Sequence, residues 1–471
     1  MGRSAGLPDR RGVSADLAIR GATVISNGAY ARDILIRDGR VASFAEPGAS
    51  TAAEEIDARG LYALPGVIDA HVHFNEPGRT EWEGWESGSR AAAAGGITTV
   101  IDMPLNSLPP VIDGASFDAK RACAERSSVV DFALWGGLVD ADETKLRELR
   151  ARGAVGVKGF MCRSGVPEFP ALSDAALVDS LRSASRVGLL VALHAEDDAL
   201  VSEATERVLV SGRRDPAAWA LSRPPLVEVR AVARACAAAR QAGARLHVVH
   251  LSAVEALGAA GAARQMGTDV TVETCPHYLV FDDADVARGG PMFKCAPPIR
   301  DARNRDGLWK ALSEGKIDLV ASDHSPCSFA LKERGRDDIF AAWGGIAGVE
   351  SLLAAVFTEA RWRSAGMDLR AIAGFVAWRL AARPAQRFGL SPRKGSIAPG
   401  ADADIVLFDP DAEWHMDHSR SRGTSPYVGR TFRGRVVRTL VRGRTVFQDG
   451  DIVTDGPTGR FIPRMEEGTA A

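Results

Sequence analysis

The chain from residue 67 onward alternates eight short apolar runs with longer, alanine-rich amphipathic stretches. The apolar runs lie at 67–73, 96–103, 130–138, 153–160, 188–196, 244–252, 269–277 and 317–326. Short runs that are apolar at almost every position are typical of strands buried on both faces, and the stretches between them have the periodicity of helices. Eight consecutive strand–helix units predict an α/β fold, namely a (β/α)₈ barrel of the TIM type.

The chain on either side of the predicted barrel has a different pattern. Residues 16–66 and 395–460 contain alternating apolar runs separated by Gly and Asp-Gly turns, which predict β-strands. Strands before and after a barrel predict one small β-sandwich domain that is built from both chain ends. We therefore expect the barrel over 67–394, with a flexible tail at 1–15 and another at 461–471.

The composition excludes several classes of function. The 471 residues include 58 basic and 60 acidic side chains, and a formal net charge of -2 gives no electrostatic reason to expect binding to nucleic acid or an anionic membrane. No apolar run approaches the length of a membrane-spanning helix, and the N-terminal segment lacks the apolar core of a signal peptide. The six cysteines are scattered without a CxxC pair, which favours a reducing, cytoplasmic location.

Candidate metal ligands occur at the ends of the predicted strands, where barrel enzymes place their chemistry. His71 and His73 end the first strand two residues apart, so both imidazoles point to one face. We favour a metal pair over two hydrogen-bonded core histidines. His194 ends the fifth strand and His250 the sixth. Asp323 ends the eighth strand, where a buried carboxylate must be ion-paired or metal-bound.

Lys158 interrupts an otherwise apolar run at the end of the fourth predicted strand. Because burial disfavours a charged ammonium, this lysine either pairs with an acid or loses its charge. In the second case the neutral amine can capture CO₂ as a carbamate, whose two oxygens can bridge two cations. Four histidines, one carboxylate and one carbamate would then hold two divalent metal ions. Nitrogen and oxygen ligands without cysteine favour Zn²⁺, with Co²⁺ and Mn²⁺ as alternatives.

A series of motifs runs through the chain after the N-terminal tail. It begins with DAHVHFNEPGRTEWEGWESGSRAAAAGGITTVIDMPLNSLPP and continues with GVKGFMCRSGVPEFP, VETCPHYL, CAPPIR, VASDHSPC, AWGGIAGVE and SPYVGRTFRGRVVRTLVRG. Together these motifs resemble the allantoinases, which are cyclic amidases of the amidohydrolase superfamily related to dihydropyrimidinases, hydantoinases and dihydroorotases. The segments NEPGRTEWEG and AWGGIAG narrow the resemblance to the allantoinases.

The resemblance implies hydrolysis of the hydantoin ring of allantoin to allantoate, a step of purine degradation, by a hydroxide that bridges two metal ions. The two histidines of the first strand and Asp323 would hold the more buried metal, and His194 and His250 the more exposed one. A carbamylated Lys158 would bridge the two ions. The family is commonly tetrameric, so the resemblance also implies a homotetramer.

The resemblance also implies the residues that act on the substrate. Asp323 would take a proton from the hydroxide and return it to the leaving ring nitrogen, and would therefore act first as base and then as acid. His277 and Ser325 would orient the substrate or stabilise charge. Ala296 and Gly344 would hold the ring through their main-chain groups.

Two other functions remain as alternatives. The first is a hydantoinase or dihydropyrimidinase that acts on another cyclic amide, although GFMCRSG lacks the tyrosine that those enzymes carry after the barrel lysine. Asn75 stands where dihydroorotases carry an arginine, which argues against dihydroorotate as the substrate. The second alternative is a non-catalytic, dihydropyrimidinase-like scaffold protein, but such proteins have lost metal ligands that this chain retains.

Overall fold

The N-terminal part of the chain is built from β-strands. They are β1 (Ala15–Ile25), β2 (Ala29–Arg37), β3 (Arg40–Ala45), β4 (Ala52–Asp57) and β5 (Tyr62–Pro65). The structure is a computed structural model that describes residues 15–26 and 29–465, so all but the last residue of the tail predicted at 1–15 lie outside the described residues.

Strand β1 pairs with a different strand along each of its two halves. Residues 15–20 of β1 pair in parallel with β4, whereas Thr23 and Val24 pair with β5. A bulge separates these two halves, and it contains Gly21 with a φ of 69°, a conformation that glycine adopts without steric cost. The bulge thus lies where β1 changes its partner from β4 to β5.

The middle of the chain forms a parallel barrel. Its strands are β6 (Val67–Val72), β7 (Ile97–Asp102), β8 (Asp131–Leu134) with β9 (Gly136–Gly137), β10 (Val157–Phe160), β11 (Val191–His194), β12 (Leu246–Val248), β13 (Val270–Thr274) and β14 (Leu319–Val320). Every residue of these strands is buried, as expected for a parallel sheet covered by helices. A parallel bridge between Val72 and His324 joins the first strand to the last and closes the barrel. The predicted (β/α)₈ barrel is therefore confirmed.

Helices follow the barrel strands and cover them. They are α1 (Trp85–Ala94), α2 (Gly114–Ser127), α3 (Glu143–Ala151), α4 (Asp174–Val187), α5 (Asp198–Val210), α6 (Pro216–Leu221), α7 (Pro225–Ala242), α8 (Leu257–Gln265), α9 (Pro276–Val280), α10 (Asp283–Gly289), α11 (Ala302–Ser313), α12 (Phe329–Glu333), α13 (Leu352–Arg363), α14 (Leu369–Ala377) and α15 (Arg383–Arg387). Helix α4 shows how the sequence sets their ends. The Ser173 side chain accepts a hydrogen bond from the N–H of Ala176 at its start, and Gly188 adopts a left-handed conformation at its end.

The C-terminal strands complete the β-domain. They are β15 (Ile405–His415), β16 (Thr431–Val441), β17 (Arg444–Gln448) and β18 (Asp451–Ile452). Because β15 pairs with β5, strands from both chain ends form one nine-stranded sheet, with a common core that includes Ile19, Ile34 and Ile405. The expected β-domain built from both chain ends is thus confirmed.

Part of the segment predicted as a C-terminal tail lies against the barrel. The N–H of Ile462 donates to the carbonyl of Phe132 in β8 at 2.7 Å, and the Ile462 side chain is buried. Beyond residue 465 the tail lies outside the described residues. Among the helices that are described, none is both long and apolar enough to cross a membrane.

Candidate metal centre

The structure brings the six predicted ligands together at the C-terminal edge of the barrel. They come from β6, β10, β11, β12 and β14 or from the residues that follow these strands, and are His71, His73, Lys158, His194, His250 and Asp323. All six are between 1% and 7% exposed. The conformation of the main chain just after β12 and β14 contributes to this placement. His250 and Asp323 have φ values of 39° and 47°, in the left-handed region that residues other than glycine seldom adopt. This conformation is not compatible with an extended strand, so β12 and β14 end just before these two residues.

One group of candidate ligands surrounds Asp323. The Nε2 atom of His71 lies 3.2 Å from Oδ1 of Asp323, and the Nε2 atom of His73 lies 3.6 Å from the same oxygen. Burial acts to raise the pKa of Asp323, but positive charge beside it, carried by His71 and His73 when they are protonated, holds that pKa well below its usual value and favours the carboxylate form. Two imidazoles and one carboxylate thus converge on a single point.

The second group lies next to the first. The Nδ1 atom of His194 is 3.1 Å from Nε2 of His250, and the rings of His250 and His71 are 5.3 Å apart. Phe160 stacks on His194 at 4.6 Å, and the Lys158 ammonium nitrogen lies 4.6 Å from the centre of the same Phe160 ring. Burial lowers the pKa of both histidines of the second group, and the nearby charge of Lys158 lowers it further.

A carboxylate fixes the orientation of His71 and leaves its other nitrogen without a proton. Nδ1 of His71 lies 2.8 Å from Oε1 of Glu273, an arrangement in which the imidazole donates and the carboxylate accepts. Burial lowers the pKa of His71, so the neutral ring presents a bare lone pair on Nε2 to the Asp323 carboxylate. Two acceptors only 3.2 Å apart repel each other unless a cation lies between them. This donor set therefore fits a metal ion.

Glu196 plays the same part for the second group. Its Oε2 lies 2.8 Å from Nε2 of His194, which directs the Nδ1 lone pair of that ring towards His250. Glu196 is also paired with Arg223, and although burial acts to raise the pKa of Glu196, Arg223 and His194 lower it to about 2. Carboxylates that hold the outer nitrogen of a histidine in this way are a common support of metal ligands.

Sequence reasoning did not identify Glu273 and Glu196. Glu273 lies inside β13, and a carboxylate in a strand that is buried on both faces was the available signal. Glu196 follows His194 by two residues, so the signal was again an acid close to a candidate ligand. Glu273, however, pairs with His71 from a distant part of the chain, and the pairing of Glu196 with His194 depends on the turn after β11. The pattern of residues specifies neither contact.

The candidate substrate contacts lie around the same edge. His277, in α9, is fully buried, neither of its ring nitrogens has a hydrogen-bond partner among the described residues, and burial lowers its pKa to about 4. One donor atom each from His277, Cys275 and Asp323 lie within 4.8 Å of one another. The Ser325 hydroxyl donates to the Asp323 carbonyl at 3.0 Å. A neutral imidazole with both nitrogens available can donate one hydrogen bond and accept another.

The main-chain contacts predicted at Ala296 and Gly344 lie on two neighbouring segments. Both residues are half-buried, and the N–H of Gly345 donates to the carbonyl of Lys294 at 2.8 Å, which holds the segments side by side. Of the two glycines, Gly345 is the one that the close packing requires. A Cβ atom on Gly345 would lie 2.1 Å from the carbonyl oxygen of Ser325, whereas a Cβ atom on Gly344 would meet nothing within 4 Å.

A (β/α)₈ barrel with histidines and carboxylates gathered at its C-terminal edge has the architecture of a barrel hydrolase. Residues 62–446 match the Amidohydrolase family, and the chain belongs to that family. Membership implies a binuclear metal centre, and the lone pairs that face each other on His71 and Asp323 are consistent with one.

Individual relatives resemble this chain over almost its whole length. A protein named allantoinase from Rubrobacter xylanophilus is 46% identical over 457 residues, which cover 96% of this chain and 99% of that protein. An allantoinase from Solibacter usitatus is 46% identical over 441 residues, or 93% of this chain and 94% of that protein. Among solved structures, the L-hydantoinase (dihydropyrimidinase) from Arthrobacter aurescens superposes with a TM-score of 0.91 at 32% identity, covering 96% of this chain and 100% of that one.

Proposed function

We propose that this protein hydrolyses the hydantoin ring of allantoin to allantoate. The observation that carries the proposal is the 46% identity, over 96% of the chain, to a protein named allantoinase. The matched hydantoinase structure is 32% identical over the same share of the chain, so acting on another cyclic amide remains the second candidate. The two segments that carry the finer resemblance also meet in space, because the rings of Trp82 and Trp343 lie 4.8 Å apart.

The six converging residues are proposed to hold two divalent ions, Zn²⁺ first, with Co²⁺ or Mn²⁺ as alternatives. The group around Asp323 would hold the more buried ion, and His194 with His250 the more exposed one. When bound, the two ions would make hydroxide available near neutral pH and polarise the carbonyl of the ring. The lone pairs that Glu273 and Glu196 direct inward support this assignment.

Lys158 is proposed to bridge the two ions as a carbamate formed from CO₂. Burial lowers the pKa of its amine to about 8, against the opposing effect of Asp323 and Glu273. More of this amine is therefore neutral near pH 7 than of an ordinary lysine, and only the neutral form can capture CO₂. An anionic carbamate would also replace a buried positive charge that lies among metal ligands.

Asp323 is proposed to move the proton that ring opening requires. Its ionised carboxylate can accept a proton from the attacking hydroxide and can then deliver that proton to the leaving ring nitrogen. His277 and Ser325 are proposed to contact the substrate through their side chains. Ala296 and Gly344, on the two neighbouring segments, are proposed to hold the ring through their main-chain groups. We also propose a cytoplasmic homotetramer, in line with the scattered free cysteines and the family resemblance.

The proposed substrate is tested by measuring ring-opening rates on allantoin, 5-substituted hydantoins, dihydrouracil and dihydroorotate, with Zn²⁺, Co²⁺ or Mn²⁺ supplied. We expect kcat/KM for allantoin to exceed that for every other ring by at least about 100-fold, because a site built to pair with the polar groups of one substrate rejects rings that leave those groups unpaired. A higher kcat/KM on a hydantoin or on dihydrouracil would refute allantoin as the substrate and leave the second candidate.

Replacement of the carboxylate behind His71 is expected to weaken metal binding. Glu273→Gln should lower the zinc affinity about 10- to 100-fold, because the amide accepts more weakly from Nδ1 of His71 and can leave the ring in the wrong tautomer. Competition with a chromogenic chelator measures this affinity. The matched control is Asp131→Asn, which removes a buried carboxylate bonded to Lys394 at the start of β8. The control should lower stability and leave zinc affinity unchanged, and equal affinities for wild type and Glu273→Gln would contradict the orienting role.

A further inference from the structure

Two buried lysines lie next to the candidate substrate contacts and take no part in the chemistry described above. Lys294 is 5% exposed and Lys332, in α12, is 2% exposed. Within residues 15–26 and 29–465, neither ammonium forms an ion pair with a carboxylate, and burial lowers the pKa of Lys294 to about 7 and that of Lys332 to about 8. A buried cation without a counter-ion is costly, so its presence needs a reason.

Both ammonium groups donate to main-chain carbonyls. Lys332 Nζ donates to the carbonyl oxygens of Lys294 at 3.2 Å and Gly345 at 2.5 Å. Lys294 Nζ donates to the carbonyl oxygens of Phe340 at 3.1 Å and Ala342 at 2.6 Å. The lysines therefore connect two segments of main chain that are distant in the sequence.

These connections join the segments that carry the candidate substrate contacts. The first segment, 294–297, contains Ala296, and the second segment, 340–346, contains Gly344. Ser325 is attached to the second segment, because its N–H donates to the carbonyl of residue 346 at 2.9 Å. The two lysines, together with the bond from the Gly345 N–H to the Lys294 carbonyl, thus hold the segments that carry all three candidate contacts.

We propose that Lys294 and Lys332 are positioning residues that hold the two segments at the spacing needed to bind the cyclic amide. Methionine would fill the same space without burying a charge, but it cannot donate to the four carbonyls. If the two side chains hold the main-chain groups in place, both positions need a hydrogen-bond donor such as lysine. If the side chains only fill space, methionine can replace them. The inference rests on the proposed function in one respect: a cyclic amide binds between these two segments. It does not depend on which cyclic amide is the substrate.

The test is steady-state kinetics of Lys332→Met and Lys294→Met, with metal content measured on the same samples. We expect KM for allantoin to rise at least about 10-fold in each variant, with kcat within about threefold of wild type, because ground-state and transition-state binding are weakened equally. Metal content should equal that of wild type, since neither lysine contacts a candidate ligand. A loss of stability alone would lower the active fraction, and therefore kcat, without a change in KM.

Arg379→Met is the matched control. Arg379, which lies between α14 and α15, is another buried cation that donates to two main-chain carbonyls, those of Asp318 at 3.1 Å and Leu312 at 2.8 Å. Asp318 precedes β14, so these bonds lie at the end of that strand opposite to the candidate site. This variant should lose thermal stability and keep the wild-type KM. A KM rise in the lysine variants but not in Arg379→Met supports the positioning role.

Other outcomes have defined meanings. An unchanged KM in both folded lysine variants would overturn the inference, as would an equal KM rise in Arg379→Met. If neither methionine variant folds, Lys332→Gln replaces them: its shorter side chain keeps an N–H donor but cannot reach both carbonyls that Lys332 bonds. This variant should raise KM, and a wild-type KM would again overturn the inference. If the wild-type protein opens hydantoin and not allantoin, the proposed substrate is wrong, and the same comparison with hydantoin still tests the two lysines.

Discussion

Lys158→Ala is expected to lose both its bound metal and its activity. The variant removes the proposed bridge between the two groups of candidate ligands, and four histidines with one carboxylate cannot satisfy two cations. We expect kcat/KM on the best substrate to fall by about 10⁴-fold or more, since the metal-dependent nucleophile and the polarisation of the carbonyl are lost together. Elemental analysis of the purified protein should show less than one metal ion per chain.

Chemical rescue separates a missing bridge from a damaged fold. Short carboxylates such as acetate or propionate, or added CO₂, should restore part of the metal content and rate of Lys158→Ala, because a carboxylate can occupy the space that the carbamate leaves. Lys158→Met fills that space and should not be rescued. Wild-type metal content and rate in Lys158→Ala would show that Lys158 has no bridging role.

Asp323→Asn is expected to fold and still lose most of its turnover. The amide keeps the size of the side chain and one oxygen ligand, but it can neither accept the proton nor return it to the leaving nitrogen. We expect kcat to fall by about 10²- to 10⁴-fold at saturating zinc, the usual contribution of a positioned acid–base group. Thermal denaturation and metal analysis on the same sample show whether the fold and the metals remain.

Asp318→Asn provides the control for Asp323→Asn. Asp318 lies at the other end of the same strand, where it pairs with Arg264 and Arg383. Its replacement should reduce stability and leave kcat unchanged. A kcat for Asp323→Asn within about threefold of wild type would refute the proposed proton transfer.

The barrel could be predicted because its signal is local and repeated. A strand buried on both faces must be apolar throughout, so runs such as 188–196 stand out in the sequence. The ends of the strands could be predicted less well. The run at 317–326 contains a strand of only two residues, β14, and the main chain leaves the extended conformation by Asp323. That turn places Asp323 and Ser325 at the site, and its backbone conformation depends on contacts from other segments.

The sequence identifies the candidate ligands that the structure brings together, but not most of the residues that orient them. Each candidate ligand is a polar residue in or at the end of an apolar run, and this pattern is visible in one sequence. Glu273, in contrast, acts through His71, more than 200 residues away. Lys294 and Lys332 act through main-chain carbonyls, and a carbonyl is present at every residue and gives no pattern. Contacts of this kind appear only when the fold is known.

The central claim is that two metal ions held by one set of six residues open a cyclic amide ring. The most direct measurement is a zinc titration of the metal-free protein in the presence of bicarbonate, with allantoin hydrolysis followed at each step. Hydrolysis is expected to rise to a plateau at two equivalents of zinc per chain. A plateau at one equivalent, or full activity in the metal-free protein, would contradict the binuclear centre.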